Sequence, residues 1–298
     1  MEEIVTKKKQ KQAVFFAILA AALYAINAPI SKLLLNNVSS AMMAAFLYLG
    51  AGIGVFIVQI VQKKRNKEKS EKSLTRKELP YTIGMVVLDI AAPLFLMAGL
   101  TMTTSANASL LNNFEIVATS VIALIIFHEK VSKRLWIAIG LVTLASLILS
   151  FEDVSSLSFS MGSVLVLLAC ICWGFENNCT RMLSQKNPIE IVIIKGFCSG
   201  TGSLVIALIV GEKFPDWIYI AGVLVLGFFA YGLSIFFYIY AQRYLGAAKT
   251  SAYYAVSPFI GVAVSFVMFR EAPTVWFVVA LVIMVGGTYF ASTDDCTL

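Results

Sequence analysis

The feature that most constrains this chain is a succession of long apolar runs with little polar sequence between them. They fall near residues 12–35, 39–62, 79–100, 105–127, 135–151, 160–183, 190–210, 218–242, 247–269 and 274–292. At a rise of roughly 1.5 Å per helical residue, each is about long enough to cross a ~30 Å hydrocarbon core. Backbone polar groups in hydrocarbon must be satisfied within the protein, so only helices and closed barrels span it. Runs of this length are about twice what a barrel strand needs, and they lack its alternation. The predicted fold is therefore an all-α integral membrane protein of ten transmembrane helices. Composition agrees: of 298 residues, 59% are hydrophobic and 13% charged. A chain this apolar is no secreted disulfide scaffold, disordered regulator or nucleic-acid-binding domain.

The net charge of +6 belongs to topology and not to an acidic partner. With the N-terminus in the cytoplasm, alternate loops carry Lys63, Lys64, Arg65, Lys67, Lys69, Lys72, Arg76 and Lys77, then Lys130, Lys133 and Arg134, then Arg181 and Lys186, then Arg243 and Lys249. The opposite loops offer Glu152, Asp153 and Asp216 and few basic groups. The positive-inside rule then predicts a multi-pass protein of the cell (plasma) membrane with both termini cytoplasmic. Segment 63–78 reads as a solvated cytoplasmic linker. Ala20–Ala22 after the N-terminal lysines imitates a signal-peptide cleavage site, but the apolar run continues to Leu35. The cysteines Cys170, Cys172, Cys179, Cys198 and Cys296 form no C-x-x-C pair, and His128 is the single histidine. Neither a metal nor a disulfide framework is expected.

An internal repeat links the two halves. Ala106–Glu129 aligns without a gap on Ala248–Glu271, and Tyr24-Ala25-Ile26-Asn27 with Lys32 aligns on Trp173-Gly174-Phe175-Glu176 with Arg181. Five spans per half is an odd number, so the copies face opposite ways across the membrane. The expected organisation is two inverted five-helix repeats, 1–157 and 158–298, a transporter signature because related halves can expose one central site to either side in turn.

These features resemble the EamA family of the drug/metabolite transporter superfamily. The resemblance rests on the ten spans in two halves, the aromatic-Gly of the sixth span with Arg181 after it, and the small-residue helices ending in F-H-E and F-R-E. It implies a carrier of amino acids, metabolites or drugs, most often an exporter and in some members an importer. The second half has the expected helix proline at Pro258, whereas the first half has Glu115-Ile116 there. The W-G-F-E of Trp173–Glu176 also resembles the W-G-x-E of choline-carrying members.

Charged residues within spans identify the candidate site, since a charge at a helix centre costs roughly 2.5 to 3.5 kcal/mol on insertion scales. Lys32, Arg181 and Lys195 lie near span ends, where long stems are expected to carry the charge to the headgroups. Glu129 and Glu271 end the fourth and ninth helices and read as caps, with His128 at the interface. Asp89, Glu115 and Glu176 are too deep for a short acid to reach water, so they are expected to face one cavity between the halves. The bland alternative is three protonated carboxyls hydrogen-bonded within the bundle. Asn27, Asn112, Asn177 and Ser257, with the aromatics Tyr24, Trp173, Tyr231 and Tyr254, complete the candidate substrate-binding set. Acids beside aromatic faces suit an ammonium or quaternary amine, so an amine-bearing small-molecule substrate is expected, with Glu176 and then Glu115 as proton-coupling groups.

No P-loop, metal cluster or nucleophile–histidine pair supports an enzyme, and no cofactor is expected. Secondary active transport by alternating access, within the lipid bilayer and without nucleic acid, is the leading reading. Its rivals are a membrane enzyme using Asp89 and Glu115 as an acid/base pair and a channel-like or structural membrane protein. Monomer and homodimer are both open.

Overall fold

The computed structural model of the chain describes residues 2–64, 72–127, 132–153, 158–270 and 273–292. The expectations for His128, Glu129, Glu271 and Cys296, and for part of the 63–78 linker, lie outside the described residues. Each apolar run forms a helical span: α1 Lys9–Leu34, α2 Ser40–Lys63, α3 Arg76–Met102, α4 Ser105–Ile126, α5 Lys133–Ser150, α6 Met161–Leu183, α7 Pro188–Ile209, α8 Trp217–Leu245, α9 Ser257–Phe269 and α10 Val275–Phe290. The first eight are long and apolar enough to cross a membrane, and the last two are shorter. The protein has the ten-helix membrane fold of two inverted repeats.

Three local features depart from uninterrupted helix. Strands β1 (Phe151–Asp153) and β2 (Ser158–Phe159) form a small antiparallel pair between the halves. The Ser160 N–H donates to the Ser150 carbonyl at 2.7 Å, and the Ser160 side chain caps α6. The helical run Ser234–Tyr254 crosses the expected turn after residue 242. A straight helix would separate Tyr238 and Tyr254 by about 24 Å, yet their rings are 5.0 Å apart. The chain therefore reverses within this run, and the ninth span begins before α9. Finally, α4 is interrupted at Asn112–Asn113 and the ninth span at Ala255–Val256, neighbouring positions in the repeat alignment.

Packing follows the repeat. Helix α3 of the first half lies against α6 of the second, and its mate is the packing of α1 against the helical run Ser234–Tyr254. Likewise α4 on α6 has its mate in α9 on α1, while α2–α7, α4–α9 and α5–α10 pair an element with its own repeat copy. Helix α2 reaches the centre because glycines let backbones touch. A Cβ at Gly196 would lie 2.2 Å from Gly52 Cα, and one at Gly227 would lie 2.1 Å from the Leu47 carbonyl oxygen. Helices without side chains at the contact approach more closely than apolar side chains allow.

Polar ties join the halves at both ends. Glu212, in the loop between α7 and α8, accepts from Ser39 Oγ at 2.6 Å and from the N–H groups of Met42 and Ala41 at 2.8 and 3.2 Å, capping α2. At the opposite end Lys186 pairs with Glu78 at 3.1 Å, and Glu190 accepts the Leu74 N–H at 3.1 Å. Lys32 donates to the Leu100 and Thr103 carbonyls, closing the end of α3. That is a favourable place for a cation at a helix C-terminus.

Candidate functional site

The deep polar residues meet where α1, α2, α3, α4, α6, α7, α8 and the start of the ninth span converge. One cavity is lined by Tyr24, Tyr48, Asp89, Glu115, Trp173, Glu176, Asn177, Thr180, Lys195, Tyr231, Ile235, Tyr238 and Tyr254. Its free space is about 60 Å³, room for a few waters. Asp89, Glu115 and Glu176 thus share one cavity, with Tyr24 and Trp173 in its wall.

Each carboxyl has its own partners. Asp89 on α3 accepts from the Tyr48 hydroxyl at 2.7 Å and pairs with Lys195 Nζ at 3.2 Å. Glu176 on α6 accepts from Lys195 and from Thr180, one turn further along the same helix. Glu115 on α4 accepts from Asn177 Nδ2 at 2.6 Å and, among the described residues, has no ion-pair partner. Asn177 also reaches Thr119 Oγ1 at 3.3 Å. The neighbouring Asn178 donates to the Thr119 and Gly174 carbonyls at 3.1 and 2.9 Å, pinning α6 to α4.

Lys195 corrects the sequence expectation. It does not reach the headgroups: it is only 3% exposed and its ammonium sits between Asp89 and Glu176. Two acids across the cavity hold the ammonium more favourably than a climb to the interface, because each carboxylate would otherwise be buried without a counterion. Its backbone opens a π-helical turn, Lys195–Ser199, and Tyr231 stands in a second, Gly227–Leu233. Wide turns of this kind re-aim the side chains around them and recur at functional sites.

Aromatic rings form the rest of the wall. Tyr24 meets Trp173 edge-on at 6.2 Å and lies 5.8 Å from both Tyr231 and Tyr254, while Tyr48 meets Tyr231 edge-on at 5.0 Å. The Tyr254 hydroxyl is 3.3 Å from Ser234 Oγ. Asn27 stands behind this wall, accepting from Ser31 at 3.1 Å and reaching the Tyr231 hydroxyl at 3.5 Å. Asn112 and Ser257 are outside the main cavity. They line an adjoining pocket at the interruptions of the fourth and ninth spans, which shares Tyr24, Glu115 and Tyr254 with it. Asn113 also lines that pocket, and both its amide atoms are buried without a hydrogen-bond partner among the described residues.

Lys195, Tyr48, Thr180, Tyr238 and Asn113 were absent from the sequence-based set. A lysine inside an apolar span was a visible signal for the first, whereas a lone tyrosine or asparagine in a span carries little.

A model of the EamA-like transporter family matches the chain twice, over residues 11–151 and 160–293. An uncharacterized transporter from Methanothermobacter thermautotrophicus is 26% identical over 294 residues, which cover 91% of this chain and 83% of that protein. A solved crystal structure covering 94% of this chain and 96% of its own matches with a TM-score of 0.69 at 13% identity, a likeness of fold.

Proposed function

Because the chain belongs to the EamA-like transporter family, and is thus a multi-pass membrane transporter, we propose that it carries a small amine-bearing organic solute by alternating access. The observation that carries this reading is the cavity between the halves, where three carboxyls face five tyrosines and a tryptophan. Carboxylates compensate an ammonium, and aromatic faces attract it through their quadrupoles. Amino acids, simple amines, choline-like compounds and cationic drugs all present such a group.

Two carboxyl seats divide the work. Asp89 and Glu176 form a seat for an ammonium, while Glu115, held by a neutral amide, exchanges a proton with the solvent. The pocket beside it, with the unpartnered Asn113 amide, receives a polar end of the solute. The two halves, divided near residue 157, rock about this centre, with the Glu212 tie parting on one side and the Lys186–Glu78 tie on the other. The basic loops put both termini and the 63–78 linker in the cytoplasm.

Counterflow in proteoliposomes tests this. Vesicles preloaded with a panel of unlabelled amino acids, primary amines and choline should accumulate the matching labelled compound, saturably and only with protein present. Unsaturable flux, or preference for anions over amines, overturns the reading.

A further inference from the structure

The cavity already contains a primary ammonium, that of Lys195. We infer that Lys195 is a resident stand-in for the ammonium of the cargo, filling the Asp89–Glu176 seat when the carrier is empty and yielding it when an amine enters. The inference rests on the proposed amine transport and names how the same seat behaves without cargo.

Four observations support it. The ammonium contacts both acids at once, Asp89 Oδ2 at 3.2 Å and the Glu176 carboxylate. All three side chains line the cavity together with the aromatic wall. The lysine backbone is fixed, because the next residue, Gly196, presses against Gly52 of α2. Any movement is therefore that of the flexible four-carbon stem. Lastly, the partners belong to different halves: Asp89 lies on α3 of the first, whereas Glu176 and Lys195 lie on α6 and α7 of the second.

The Lys195–Asp89 contact thus ties one half to the other across the centre. A cargo ammonium that takes the seat replaces this covalently tethered cation with a free one. The seat holds one ammonium for its two carboxylates, as before, and the tie between halves is released. A ligand shifts a conformational equilibrium only by its differential interaction with the two states, and this exchange supplies that difference. It also lets the empty carrier recross with an ammonium already between Asp89 and Glu176.

Chemical complementation of the purified full chain tests the seat. Lys195→Ala removes the resident ammonium and leaves room for a small amine. Its Tm should fall by about 5 °C or more and recover, saturably, with ethylammonium or n-propylammonium chloride, because a ligand that binds the native state stabilises it. Sodium chloride at equal ionic strength should not restore it. Should Lys195→Ala fail to fold, Lys195→Ala/Asp89→Asn loses one charge of each sign and keeps Glu176. It should also be stabilised by ethylammonium, and adding Glu176→Gln should abolish the response. If neither variant responds to primary ammonium ions beyond the sodium control, Lys195 is a structural ion-pair partner and the inference falls. The assay requires no transport, so complementation without counterflow would leave the seat standing and remove the transport reading alone.

Discussion

Tyr48 and Glu115 face the same cavity but should respond to substitution in different ways. The Tyr48 hydroxyl donates to Asp89 at 2.7 Å, and both groups are buried. Tyr48→Phe keeps the ring against Tyr231 and leaves a buried carboxyl oxygen without its donor. The expected cost is about 1–3 kcal/mol, read as a lower Tm in detergent, with Tyr48→Leu lower still because the ring contact is lost as well. Glu115→Gln retains shape and an acceptor for Asn177 while removing the exchangeable proton. It should fold with a Tm near that of the parent, keep amine counterflow and lose uptake driven by a pH gradient. Undiminished gradient-driven uptake in this variant would remove Glu115 from the coupling role. The sequence exposed Glu115 through its depth in an apolar span. It could not expose Tyr48, because an aromatic in a membrane helix costs little wherever it faces.

At the level of elements, α2 is the helix that brings the site together, and glycine contacts position it. The Cβ of Gly227→Ala would lie 2.1 Å from a backbone oxygen of α2, which no side-chain rotation relieves. Overpacking of this kind costs about 1–3 kcal/mol, and the shift would pass directly into the π-helical turn carrying Tyr231. Gly140, in α5, is the contrasting case, since among the described residues nothing lies within 4 Å of a Cβ placed there. Gly140→Ala should leave Tm unchanged or raise it slightly, whereas Gly227→Ala should lower it and weaken amine-dependent stabilisation. Equal effects from both would mean that helix propensity, and not the α2 contact, governs these positions. The apolar pattern foretold the spans to within a few residues. The π turns and the paired interruptions near Asn113 and Ala255 were hidden, because local periodicity does not record where a helix widens to accommodate a neighbour.

For the whole molecule, inverted symmetry makes a sidedness prediction. Single cysteines in the 63–78 linker and in the Gly211–Asp216 loop, on a background free of native cysteines, should react with an impermeant thiol reagent from opposite faces of sealed vesicles. Labelling of both from one face would overturn the proposed orientation. The sequence by itself determined the membrane environment, the number of spans, the two-fold repeat and the depth of three acids, since each follows from transfer free energy along a one-dimensional pattern. Which acid meets which partner was decided only by the tertiary structure. Lys195 shows why: near a span end, its stem permits either the headgroups or the interior. The choice fell to Asp89 and Glu176, brought within reach by the packing of α3 on α6 and of α2 on α7. Electrostatic pairing depends on distances between helices far apart in the chain, and those distances exist only once the two halves have packed together.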